Sequence, residues 1–131
     1  MTGVLVVTTT TGSREEAEAI AAVLLERRLA ACVQIGPIES RYVWKGRIAQ
    51  AEELMLTVKT RVDRFEAVEA AIREMHSYDV PEILALEATG ASAGGMGYWE
   101  NFCGLTHASA SCSSGRTSPV QRRHRNTGMS R

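Results

Sequence analysis

The sequence predicts an α+β sandwich, one antiparallel sheet with two helices on a single face. The first observation is a repeat. Strand, helix and strand begin near residues 4, 14 and 32, and again near 54, 63 and 82, an offset of about 50 residues. The second is a long hairpin between the two rounds. Leu29 to Thr60 reads LAACVQIGPIESRYVWKGRIAQAEELMLTVKT, with two apolar runs facing each other across Lys45-Gly46-Arg47. A doubled β-α-β joined by a hairpin is the ferredoxin-like arrangement. The third observation is length. Arms of about 10 residues reach ~33 Å, whereas a domain of ~100 residues has a radius of gyration of about 13 Å. The hairpin should therefore overhang its own domain, and an apolar overhang needs a partner.

Each element has a local cause. Val4 to Val7 is a continuous apolar run, and four threonines carry that strand to its end. Ser13 and Glu16 have capping-box spacing and open a helix. Ala17, Ile20, Ala21 and Leu24 form its apolar stripe, and the helix is expected to end near Leu29. In the first hairpin arm β-branched and aromatic residues dominate, as strands prefer. Pro37 cannot donate to a ladder, so the arm is expected to bend there. Gly46 suits the positive φ of a tight turn. Asp63 and Glu66 give a second capping-box-like start, followed by Phe65, Val68, Ile72 and Met75 at helical spacing. Tyr78-Asp79-Val80-Pro81 breaks that helix. Ile83 to Leu86 is the last strand.

Composition divides the chain. Residues 1–104 hold 10 Lys/Arg against 15 Asp/Glu, while residues 105–131 hold 5 Arg and no acid. We read residues 1–104 as the folded domain and 105–131 as a basic, disordered tail too poor in large apolar residues to offset ordering entropy. Tyr98, Trp99 and Phe102, with Met96, could form one turn of docking helix at the domain's end. No stretch approaches 18 consecutive apolar residues, and the start lacks the pattern of a secretory signal. Cys32, Cys103 and Cys112 form no C-x-x-C pair and read as reduced thiols in a cytoplasmic compartment.

Residues that could carry chemistry are few. There is no G-x-S-x-G, P-loop, G-x-G-x-x-G or H-E-x-x-H pattern. The Gly-rich piece 90–97 reads as a linker, because no helix long enough to cradle phosphate follows it. His76 closes the second helix beside Tyr78 and Asp79. Two roles fit it: a cation opposing the helix dipole, or a metal ligand completed by a carboxylate or by Cys32 of a neighbouring subunit. An enzyme using His76 as general base lacks a nucleophile or second base. Tyr42 and Trp44 lie two apart on the overhanging arm and read as interface anchors, with core packing as the plainer role. Glu53 on the returning arm is a solvated acid or one half of an ion pair. Arg122-Arg123-His124-Arg125 has no interleaved aromatic residues, so the tail reads as a solvated extension rather than a nucleic-acid contact.

Taken together, LAACVQI, YVWKGRI, the E-x-x-x-x-x-KT run from Glu53 to Thr60, and His76-x-Tyr78-x-x-Pro81-Glu82-Ile83 resemble the CutA family of divalent-cation tolerance proteins. The resemblance covers about Val4 to Leu86. It implies a ferredoxin-like subunit in a tight homotrimer, whose long hairpins pair with neighbouring sheets. It implies a link to metal tolerance, with copper or another divalent metal as ligand, and no catalytic reaction. His76 would be the metal ligand, with Tyr78, Glu53 and Cys32 as supporting candidates, and Tyr42 and Trp44 in the trimer interface. The chain departs from the family's pattern at Ser77, where proline is frequent, at Thr9, where some members have a cysteine, and at Met75, where some have a histidine. A trimeric small-molecule sensor similar to PII signalling proteins is the alternative. It would need a long flexible loop, which Lys45-Gly46-Arg47 is too short to supply.

Overall fold

The computed structural model describes residues 2–92. The compact unit ends at Thr89. The docking turn at Tyr98–Phe102, the expected boundary at 104 and the basic tail all lie outside the described residues.

The order is β1 (Val4–Thr11), α1 (Arg14–Glu26), β2 (Cys32–Trp44), β3 (Arg47–Arg61), a 3₁₀ turn (Val62–Arg64), α2 (Phe65–Met75) and β4 (Ile83–Glu87). The sheet runs β2-β3-β1-β4, and every neighbouring pair is antiparallel. This is the doubled β-α-β expected from the sequence. Both helices bury their stripes on one sheet face. Ile20 and Leu24 from α1 and Val68 and Ile72 from α2 meet Val7, Leu56 and Val58, and all are fully buried. Three threonines share that interior, and each hydroxyl donates to a backbone carbonyl: Thr9 to Glu82 at 2.6 Å, Thr11 to Ser13 at 2.9 Å, Thr60 to Leu29 at 2.7 Å. Buried hydroxyls without such partners would each be costly.

Helix ends explain where the elements stop. Ser13 is the N-cap of α1, its Oγ accepting the Glu16 N–H at 3.2 Å. The helix stops at Glu26, three residues before the expected end. Arg28 adopts left-handed backbone (φ 55), and the N–H groups of Arg28 and Leu29 return to Leu25 and Leu24. That pair of bonds satisfies the last carbonyls without a glycine. At α2 the expected cap fails. Asp63 lies inside the 3₁₀ turn and binds Arg61 at 2.8 Å, and Arg64 at the N-cap makes no side-chain capping bond. The short 3₁₀ turn takes up the entry into the helix instead.

The hairpin is longer than predicted, with 13 residues in β2 and 15 in β3. Lys45 and Gly46 close it with positive φ at both positions, 50 and 74, as a two-residue hairpin turn demands. The expected bend at Pro37 does not interrupt β2, whose pairing passes unbroken through Pro37↔Leu54. β2 is the outer strand, where a missing N–H is tolerated.

Candidate functional site

The residues singled out in the sequence fall in two places. His76, Tyr78 and Glu53 gather where the hairpin leaves the body. Tyr42 and Trp44 lie at its tip. Cys32 joins neither: it pairs with Lys59, six positions along β3 from Glu53, or about 20 Å of strand.

The root cluster is built from three chain ends. β1 ends at Thr11, α1 begins at Arg14, and α2 ends at Met75. His76 is the C-cap of α2, with extended backbone (φ −76, ψ 137) that turns the chain back toward β1. Its side chain is completely buried. Nε2 lies 2.6 Å from the Thr10 carbonyl, and Nδ1 accepts the Tyr78 N–H at 3.1 Å. A carbonyl only accepts and an N–H only donates, so the ring is the Nε2–H tautomer with its Nδ1 lone pair in use. His76 therefore shapes the loop by direct bonds, rather than acting as a charge opposite the helix dipole.

Glu16 is the residue the sequence assigned differently. Its position predicted a carboxylate turned back to its own helix cap. Instead, Oε1 accepts the Ser77 N–H at 2.6 Å and Oε2 accepts the Ser77 hydroxyl at 3.0 Å. The same carboxylate stands 3.5 Å from His76 Nδ1. Only half of the capping box forms, and the free half ties α1 to the loop after α2. Its spacing to Ser13 is equally consistent with an ordinary cap, so only the three-dimensional structure shows this bond.

Tyr78 completes the cluster. Its ring packs on the imidazole with centroids 4.7 Å apart, and its hydroxyl donates to Glu53 Oε2 at 3.3 Å. Burial, then the nearby Glu53 charge and its hydrogen bond, push the phenol above its ordinary pKa. Gly12 makes room for it, since a Cβ there would sit 3.2 Å from the hydroxyl. Beside this cluster lies a cleft of about 500 Å³ lined by Gly12, Ser13, Arg14, Glu52, Glu53 and neighbouring hairpin residues.

The set does not fit a resident metal. The one imidazole has both nitrogens engaged, and among the described residues no group of three or more His, Cys, Asp or Glu is placed to hold an ion. Thr9 and Met75 offer no replacement: the Thr9 hydroxyl is bonded to Glu82, and Met75 packs against the core.

The tip is a different kind of site. Cross-strand register puts Tyr42 and Trp44 on one face and Val43 and Ile48 on the other. All four are exposed, Trp44 at 63%, Val43 at 74% and Ile48 at 82%. Leu84 and Leu86 on β4 are exposed as well, sharing with Val6 the sheet face that the helices leave open.

A model of the CutA1 divalent ion tolerance protein family matches residues 5–101. The chain belongs to the CutA1 family. The CutA divalent-cation tolerance protein of Archaeoglobus fulgidus is 49% identical over 77 residues, which are 59% of this chain and 76% of that one. The chloroplastic CutA protein of Arabidopsis thaliana is 40% identical over 67% of this chain, which spans 49% of that longer protein. The solved structure of the periplasmic CutA from A. fulgidus aligns with a TM-score of 0.70 at 38% identity, covering 76% of this chain and 97% of its own. CutA1 from Shewanella sp. SIB1 aligns with a TM-score of 0.71 at 34% identity, covering 76% and 94%. The family model and the A. fulgidus relative carry the name of a divalent-ion tolerance protein rather than of an enzyme. None of these comparisons supports the PII-like alternative, and the two-residue turn leaves no room for its long loop.

Proposed function

We propose that the chain acts in divalent-cation tolerance as one subunit of a homotrimer, with the hairpin tip of each subunit buried against the next. The observation behind this reading is the tip, apolar on both faces and exposed, with no element among the described residues to cover it. A strand apolar on both faces is suited to burial on both. The open face at Val6, Leu84 and Leu86 is a suitable receiver. Donor and receiver are different surfaces, so the contact is head-to-tail, and with a rotation of about 120° per subunit it closes into a ring of three. Tyr42 and Trp44 are the anchors in this reading.

Divalent ions, copper among them, are what the protein responds to in this proposal. No catalytic step and no resident ion on the His76 ring form part of it. We also place the chain in the cytoplasm, because Cys32 is a free thiol; the periplasmic and chloroplastic relatives show that cell fractionation must check this. Sedimentation equilibrium tests the assembly. We expect three times the mass of the 14.3 kDa chain. A single-chain mass, with tip fluorescence open to aqueous quenchers, would refute the trimer.

A further inference from the structure

We infer that His76 serves this chain as a structural clasp and not as a metal ligand: its neutral Nε2–H imidazole locks the loop after α2 to the end of β1, and so seats the Tyr78 phenol on Glu53 at the hairpin root. The inference goes beyond the proposed trimer and does not rest on it, since every contact involved lies within one chain.

The geometry argues this in three steps. First, the ring has nothing left to offer an ion. Nε2 carries a proton aimed at the Thr10 carbonyl at 2.6 Å, and the Nδ1 lone pair holds the Tyr78 N–H at 3.1 Å. A metal on Nδ1 would strip that N–H of its partner, and one on Nε2 would strip the carbonyl, in a place where the side chain is wholly buried. Second, the bond to Tyr78 has the form of an Asx turn, a side-chain acceptor holding the N–H two residues on. It fixes the backbone of Tyr78, and the ring-to-ring contact at 4.7 Å fixes its side chain. Third, Glu16 braces the same loop from α1 through both oxygens on Ser77. The charged or titratable groups facing the imidazole are thus Glu16 from α1 and Tyr78 from the loop, with Glu53 of β3 beyond the phenol. His76 acts through Tyr78 and is a positioning residue.

Two substitutions separate the roles. His76→Asn keeps an acceptor for the Tyr78 N–H but cannot reach Thr10, whereas His76→Leu removes both bonds. Nitrogen-detected NMR of the wild-type ring should show a protonated Nε2 and a bare Nδ1, unmoved by added zinc chloride. The Tyr78 phenol should titrate above its ordinary range in wild type and in His76→Asn, and fall back toward that range in His76→Leu. Zinc affinity of His76→Asn should stay within about twofold of wild type. A loss of tenfold or more, the scale on which even a ligand's supporting hydrogen bond acts, would overturn the inference. So would a zinc-induced shift of either His76 nitrogen, or a protonated Nδ1. If His76→Leu does not fold, the wild-type spectra and the Asn variant still decide.

Discussion

β3 is one strand with two fates. From Leu54 to Thr60, alternate side chains lie under the helices, and Leu56, Val58 and Thr60 have no exposed surface. From Arg47 to Ala51 the same strand, paired in the same register to the same neighbour, has neither α1 nor α2 over it, and Ile48 is 82% exposed. The difference is not one of pairing to β2, and even the exposed half carries a large apolar residue, Ile48. It lies in what the rest of the chain supplies. The two helices span 13 and 11 residues, and at 1.5 Å per residue each covers roughly 16 to 20 Å. A 15-residue strand at ~3.3 Å per residue extends about 50 Å. One half of the hairpin builds the subunit, and in the proposed trimer the other meets a second molecule.

The sharpest way to break that comparison is to cut an anchor at the exposed end. In the proposed trimer, Trp44→Ala removes a buried indole, and large aromatic truncations cost roughly 3–5 kcal/mol per site. We expect dissociation or aggregation by sedimentation, with a melting temperature that depends on protein concentration. On a lone subunit Trp44 is a surface residue, and the same change would fall within about 0.5 kcal/mol of neutral. An unchanged mass and melting temperature would return the tip to solvent.

Leu56→Ala probes the other half. It opens a cavity in a core packed by Ile20, Leu24 and Ile72, and such changes cost roughly 2–5 kcal/mol. The loss should appear in urea unfolding at every protein concentration, because the contacts are all within one chain. If instead dilution restored or deepened the defect, the division between a folding half and an assembly half would be wrong.

Helix caps show how much of this could be read beforehand. Ser13 and Asp63 precede their helices with the same spacing to a glutamate. Ser13 caps; Asp63 does not, because a turn of 3₁₀ helix intervenes and Arg61 takes its carboxylate. Ser13→Ala should cost about 1 kcal/mol, and Asp63→Ala should stay within about 0.5 kcal/mol of wild type. Thermal melts of the two variants side by side would test this, and equal losses would refute the assignment. The order of strands and helices was legible because apolar periodicity reports which face is buried. Helix ends were less so. Arg28 in left-handed backbone and the unbroken pairing at Pro37 are settled by tertiary packing and by the strand's outer position, which no local pattern encodes. At the root, His76, Tyr78 and Glu53 could be nominated from residue type. The part played by Glu16 could not, since its partner Ser77 is 61 positions away.

The joint between the two halves is Glu53, and Tyr78 is the residue that holds it. The smallest effect we expect is there, and it depends on pH. The folded state raises the phenol's pKa, first through burial and then through the Glu53 charge and hydrogen bond. A raised folded pKa means that the native state keeps its proton longer than the unfolded chain does. The contribution is therefore complete below the ordinary tyrosine pKa of about 10, and it is lost as pH climbs through the folded value. Because Tyr78 is 40% exposed, solvent screening keeps the effect small. Urea midpoints of wild type and Tyr78→Phe should draw together between about pH 9 and about pH 11. A gap that stayed constant across that range would show that the phenol's proton is not what ties the loop to the strand.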